Sequence, residues 1–347
     1  MAADLTLAGR EVLFCAHPGA RGTFLETQQL GRIEMTGYGR RGVARPAEIT
    51  TDLARVLGAA RQVHLLLPAI RHLELFEALA PHLRDDHQVV VWSGNFGSLR
   101  LAEFLRARGG PSPLIGETST VPYSTRVARP GEVHIQALAT WILVAALPAT
   151  RTAELMDACA PLWPGVVRPA VHVLQAAFSN PNTIVHAPPA ILNLGRIERT
   201  QGDFFVYAEG ITPSVSRIVG ALHAELGAVA SAFGFQTWDY QPDDFAPPAS
   251  VVTAVFQGPQ AIDELSRSRG PSGARHRYLT EDIPYGLVPI GRLGRLAGVA
   301  TPLLDALVTL GSAASEQDFW ATGPTLEALG LPWADPASVR RYLLGMD

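Results

Sequence analysis

With 347 residues, 47% of them hydrophobic and 17% charged, the chain is long enough for two domains of ordinary size and is globular rather than disordered. Its net charge of −4 gives no general attraction for nucleic acid or anionic membranes. All 28 basic residues are arginines, which excludes a Schiff-base lysine or a phosphate-loop lysine.

Cys15 and Cys159 have neither metal-ligand nor disulfide-framework spacing, and no HExxH, CxxC or carboxylate cluster occurs. No metal is expected, and a reducing, cytoplasmic setting is. No basic region followed by an apolar run and a cleavage site opens the chain. The longest apolar stretch, residues 135–149, is too short to span a bilayer, is interrupted by Pro148, and is expected to be a buried core helix.

In chain order, the apolar run 11–16 ends in His17-Pro18-Gly19 and reads as a strand and turn. Residues 50–60 read as a helix capped by Thr51, with Leu53, Val56 and Leu57 on one face. Residues 62–67 form a buried strand stopped by Pro68. An amphipathic helix follows over 71–84, with Leu73, Phe76, Leu79 and Leu83 inward. Residues 88–92 are another strand, 98–108 a helix, and 114–116 a strand end before Glu117-Thr118. Continuous apolar strands joined by helices predict a parallel sheet covered on both faces. From about Val173 the pattern turns helical, including 211–233 and 291–310, with long loops over 238–248 and 268–277. The expected architecture is α/β: a Rossmann-like domain over 1–172, then a mainly α-helical domain over 173–347.

A dinucleotide fold normally opens with strand, GxGxxG and helix, because glycines let backbone N–H groups approach the pyrophosphate. Residues 1–10 instead read as the tail of a first helix leading into a second strand, so the first strand and its glycine loop are missing. Gly37-Tyr38-Gly39-Arg40-Arg41-Gly42 matches the pattern, but Pro46 lies four residues on and no helix follows, so it reads as a turn. After the 11–16 strand there is no acid for ribose hydroxyls, and Arg21 follows, which favours NADP slightly over NAD.

Three stretches combine polar and rigid residues in an otherwise apolar chain: Glu117-Thr118-Ser119-Thr120-Val121-Pro122-Tyr123, Asn180-Pro181-Asn182-Thr183-Ile184-Val185-His186, and Arg277-Tyr278-Leu279-Thr280-Glu281-Asp282-Ile283-Pro284-Tyr285. Asn182 and His186, four apart, share a helix face. Together the three resemble the motifs of the octopine/nopaline (opine) dehydrogenase family. Leu65-Leu66-Leu67-Pro68-Ala69 and Ser93-Gly94-Asn95-Phe96-Gly97 resemble the nucleotide-domain loops of that family.

The resemblance runs from about residue 2 to the C-terminus. It implies reductive condensation of an amino acid with a 2-oxo acid, using NADP or NAD, and a helical domain similar to the C-terminal one of 6-phosphogluconate dehydrogenase. Carried over, His186 is the general acid–base, and Asp282 orients it and raises its pKa. Arg277 grips a substrate carboxylate and Asn182 the substrate or nicotinamide edge. Thr118 serves both substrate and cofactor, and Pro68 and Asn95 line the nicotinamide end. A homodimer through the helical domain is compatible with the family.

Simpler roles stand beside these. Asp282 suits a helix start, Arg277 a surface position beside Arg275 and His276, and Asp243-Asp244 a solvated loop. His64, His72, His82 and His87 read as packing or surface residues. A 2-hydroxy-acid or ketopantoate-type reductase shares the architecture but generally uses a lysine acid, and this chain has none. The missing opening leaves two further expectations: a start assigned about 15 residues late, or a truncated, inactive relative kept as a small-molecule binding or partner protein.

Overall fold

The computed structural model describes residues 1–238, 244–246, 269–331 and 334–346. Asp243 and most of the 238–248 and 250–268 stretches lie outside the described residues.

Twelve strands are described: β1 (Leu13–Cys15), β2 (Ile33–Gly37), β3 (Gly42–Ala44), β4 (Glu48–Thr50), β5 (Gln62–Leu65), β6 (Gln88–Val91), β7 (Leu114–Thr118), β8 (Tyr123–Arg129), β9 (Glu132–Ala139), β10 (Ile142–Leu147), β11 (Val167–Pro169) and β12 (Phe245–Ala246). A five-stranded sheet runs β11-β10-β7-β6-β5, and a second sheet is built on β9, which pairs β8, β2 and β12. β5, β6 and β7 are parallel, as an α/β domain requires, but β7 meets β10 antiparallel. The sheet is therefore mixed rather than wholly parallel.

β1 pairs in parallel only with β4, and β5 only with β6. Among the described residues no strand joins the two sets.

The stretch 135–149 is not a helix; it is the end of β9, a corner at Thr140-Trp141, and β10. A strand buried on both faces reads as a continuous apolar run, which periodicity cannot separate from a buried helix. The packing shows the period of two instead. Ile142, Val144 and Ala146 enter the core shared with Trp92 and Trp163. Leu143, Ala145 and Leu147 enter the core shared with the helices beyond residue 173.

Smaller differences have local causes. Asp52, not Thr51, caps the helix Leu53–Ala59, accepting from the Arg55 N–H at 3.0 Å. The 71–84 segment is the helix His72–Leu79 followed by a tighter turn; its inner face is His72, Leu75, Phe76 and Leu79, and Leu73 is 52% exposed. The 291–310 run is divided between Val288–Leu296 and Pro302–Ser315, Gly298 (φ 66°) and Pro302 marking the break.

Beyond Pro169 the described chain is helical apart from β12, with Pro213–Ala232 the longest helix. No helix is long and apolar enough to cross a membrane among the described residues.

Candidate active site

The third motif begins at the helix Arg277–Thr280, whose first turn is capped by the His276 ring. It continues into a π-helical turn, Ile283–Leu287, where Pro284 lacks the N–H of a regular ladder. This change of winding leaves Asp282 at the junction. Its carboxylate makes no capping bond; Oδ2 lies 2.7 Å from His186 Nδ1 across 96 residues of sequence. An ionised carboxylate can only accept, so Nδ1–H donates and Nε2 keeps its lone pair. The imidazole lies flat on the Tyr278 ring, centroids 3.8 Å apart and planes 10° from parallel. The Tyr278 hydroxyl in turn lies 3.2 Å from that of Tyr207. Tyr278 and Asp282, four apart in one motif, thus supply the face and the edge that fix His186.

The pair is buried: His186 is 6% exposed and Asp282 2%. Burial lowers the His186 pKa and outweighs Asp282, which raises it; Arg277 and Arg126 lower it further. The expectation of a raised pKa is therefore reversed, because desolvation penalises the imidazolium more than one carboxylate favours it. The resting ring is neutral.

The cofactor-side loops are braced both from their own sheet and from the helical region. After β6 the backbone takes the left-handed conformation at Ser93 (φ 50°), Asn95 (φ 45°) and Phe96 (φ 65°), which is costly for non-glycine residues. Glu117 compensates: wholly buried, it accepts from the Phe96 N–H (2.9 Å), the Ser98 N–H (2.9 Å) and the Ser98 hydroxyl (2.6 Å). Gly94 is needed here, since a Cβ would come within 2.8 Å of the Glu117 carboxyl carbon. Burial pushes the Glu117 pKa up to about 7 despite these donors. From the helical region, Glu281 Oε1 accepts from the Ala69 N–H at 2.8 Å.

Not every expected site residue presents a free group. Asn182 does: it is half-buried and its side chain has no partner among the described residues. Asn95 is buried, its Oδ1 accepting from Asn180 Nδ2 at 2.6 Å. Thr118 donates to the Thr120 carbonyl and accepts from the Ser93 N–H, so its hydroxyl braces the loop. Arg277 is half-exposed, 3.8 Å from Glu281 Oε2. Pro68 is half-buried at the turn before Ala69. Arg21 is exposed after β1 and, among the described residues, bonded only to the Ala20 carbonyl.

Sequence reasoning missed Tyr278, Glu281, Asn180 and Arg126. The first three lie inside motifs already singled out. Arg126 carries no local signal: it is exposed on β8, and its charge acts on His186, Tyr207 and His276. Asp244 is half-buried rather than free in solvent; it accepts from the Trp141 and Trp238 indoles at 2.5 and 3.0 Å.

A dinucleotide fits what these residues offer at its two ends: strand-end turns at Pro68 and Ser93–Asn95 for a nicotinamide, and Arg21 beside the His17 turn for an adenosine ribose. Gly37–Gly42 joins β2 to β3 as a hairpin and opens no helix. Among the described residues no group of three or more His, Cys, Asp or Glu is placed to hold a metal ion.

Parallel strands ending beside a buried histidine–carboxylate pair from a helical region define a Rossmann-type dehydrogenase. Residues 169–315 match the family model for the alpha-helical domain of NAD/NADP octopine/nopaline dehydrogenase. An opine dehydrogenase from Arthrobacter sp. (strain 1C) is 33% identical over 345 residues, covering 98% of this chain and 94% of that protein. The chain belongs to the opine dehydrogenase family, NAD(P)-dependent oxidoreductases that act on CH–NH bonds. A solved octopine dehydrogenase with NADH and pyruvate superposes with a TM-score of 0.71 at 21% identity, covering 100% of this chain and 95% of that one. A yersinopine dehydrogenase with NADP+ bound gives 0.68 at 15% identity, covering 99% and 94%.

Proposed function

We propose that this chain condenses the amine of an amino acid with a 2-oxo acid and reduces the resulting imine to a secondary-amine dicarboxylate, with His186 as general acid–base. The carrying observation is the buried 2.7 Å His186–Asp282 pair, assembled from two motifs of a chain 33% identical to an opine dehydrogenase along nearly its whole length. Residues 1–172 would carry the coenzyme and 173–347 the substrates. Two unpaired cysteines suit the cytoplasm.

NAD(P)H, when bound, supplies the hydride. Pro68 and the Ser93–Asn95 turn would hold its nicotinamide end. The protein's own part is proton handling. A neutral His186 takes the ammonium proton on Nε2, freeing the amine to attack the oxo carbon. The same proton then leaves Nε2 for the carbinolamine hydroxyl, which departs as water. One proton thus moves on and off a single nitrogen, while the Nδ1–H bond to Asp282 keeps the tautomer and orientation. Arg277 and Asn182 would hold the substrates beside the ring.

The test is oxidation of NADPH and NADH by the purified chain with a panel of amino acids against pyruvate and 2-oxoglutarate. Turnover requiring both partners, with the secondary amine found by mass spectrometry, supports the proposal. Coenzyme binding without turnover of any pair would refute it.

A further inference from the structure

Glu281 sits beside Asp282 in the sequence yet faces the other way. It is 6% exposed, and its Oε1 accepts from the Ala69 N–H at 2.8 Å, 212 residues away. Its Oε2 is buried without a hydrogen bond, 3.8 Å from the Arg277 guanidinium. The turn it grips is held by two further bonds: the Leu67 carbonyl to His72 Nε2 at 3.1 Å, and the Ala69 carbonyl to Arg100 Nη1 at 3.1 Å. Arg100 lies 4.7 Å over the ring of Tyr285, whose N–H bonds the Glu281 carbonyl. The segment from Glu281 to Tyr285, which includes Asp282, is therefore fastened to the Leu67–Ala69 turn and Arg100 by one carboxylate and one cation–ring contact.

We propose that Glu281 is a positioning residue: through the Ala69 amide it holds the Leu67-Pro68-Ala69 turn and the Asp282–His186 pair in one register. A buried bond to a carboxylate is directional and hard to replace by water, whereas the apolar contacts around it permit sliding. Because hydride and proton must reach one small substrate from opposite sides of the domain junction, a displacement of about an ångström between these parts lowers turnover steeply. This role is defined on the opine dehydrogenase reading, but the bond itself can be tested without turnover.

The experiment compares Glu281→Ala and Glu281→Gln with wild type, by hydrogen exchange of the free protein and by steady-state kinetics. Glu281→Ala is expected to speed exchange in the peptides spanning 65–72 and 277–287 together, and in few others. It is expected to lower kcat roughly 10- to 100-fold with the amino-acid KM changed less than threefold. Glu281→Gln keeps an amide oxygen for the Ala69 N–H and should restore both exchange and kcat to within about fivefold. Unchanged exchange in both peptides, or faster exchange spread over the whole chain, would overturn the assignment. So would a glutamine variant as impaired as the alanine one. If wild type turns over no substrate pair, the functional proposal fails, while the exchange pattern still decides whether Glu281 couples the two segments.

Discussion

Asn95 and Asn180, 85 residues apart, share a buried amide–amide hydrogen bond of 2.6 Å. Asn180 Oδ1 also accepts from the Asn182 N–H, at the start of the turn that leads to His186. The strained loop after β6 and the first turn of the histidine motif are thereby one bonded unit. Truncating Asn180 would strand the Asn95 oxygen in a buried setting, at a cost of about 1–3 kcal/mol. Asn180→Ala should therefore lower the urea midpoint and kcat together. Unchanged unfolding would show that water replaces the bond.

Removal of the imidazole in His186→Ala should lower kcat by about 10²- to 10⁴-fold, the range of positioned acid–base groups. Asp282→Asn should cost about 10²-fold, because an amide can face Nδ1 with either a donor or an acceptor and no longer fixes the tautomer. Asp282 raises the His186 pKa, so its loss should also move the acid limb of the kcat/KM profile to lower pH. A limb that stays put, measured over pH 4.5–8.5, would separate His186 from the titrating group.

Arg126 acts with the opposite sign. Its charge lowers the His186 pKa from an exposed position on β8. Arg126→Ala should shift the acid limb to higher pH by a few tenths of a unit, since exposed charges are well screened. Added salt should shrink the difference between variant and wild type. A guanidinium with no acidic partner among the described residues also suits a carboxylate-bearing substrate, so the same variant should raise KM for the amino acid or oxo acid severalfold. An unaltered profile and KM would remove Arg126 from the site.

The legible parts of this molecule were those whose signal is local. Asp282, His186 and Asn182 stood out because polar residues in fixed spacing interrupt an apolar chain. The strand ends at Pro68 and Thr118 were marked by proline and by a run of hydroxyls. Three things were hidden for physical reasons. The two-sided burial of β10 erases the alternation that separates strand from helix. The neutrality of His186 depends on the balance between burial and one carboxylate, and burial is not written in spacing. Arg126 reaches the site through the pairing of β8 with β9, a contact that no motif announces.

The turn after β1 offers a test of coenzyme choice. There His17 Nδ1 accepts from the Gly19 N–H at 3.0 Å, and Arg21 has no acidic partner among the described residues. A guanidinium at that strand end complements a 2′-phosphate and gains little from a ribose hydroxyl. Arg21→Ala should weaken NADPH about tenfold and NADH less than twofold in fluorescence titrations. Equal losses for both coenzymes would assign Arg21 to general charge attraction instead.

Buried His72 and His172 and half-buried His64 make stability depend on pH in a direction set by their lowered pKa values. Burial pushes His64 and His172 down to about 4 and His72 to about 3, against 6.5 when unfolded. Between pH 6.5 and 4.5 the unfolded chain therefore binds up to three protons that the folded chain refuses, so stability falls as pH falls. Glu117 opposes this, because a folded pKa of about 7 makes the native state hold one proton more across the same window. For these four groups alone the deficit is about two protons, or about 3 kcal/mol per pH unit at about 1.4 kcal/mol per proton; the lowered His186 and His276 pKa values add to it and the raised Glu281 pKa subtracts from it. The urea midpoint should drop steadily from pH 6.5 to 4.5. His172→Leu should flatten that slope by about one proton, since burial is the largest cause of the lowered His172 pKa. A midpoint independent of pH across the window would mean that these rings are reached by water and are not held neutral by burial.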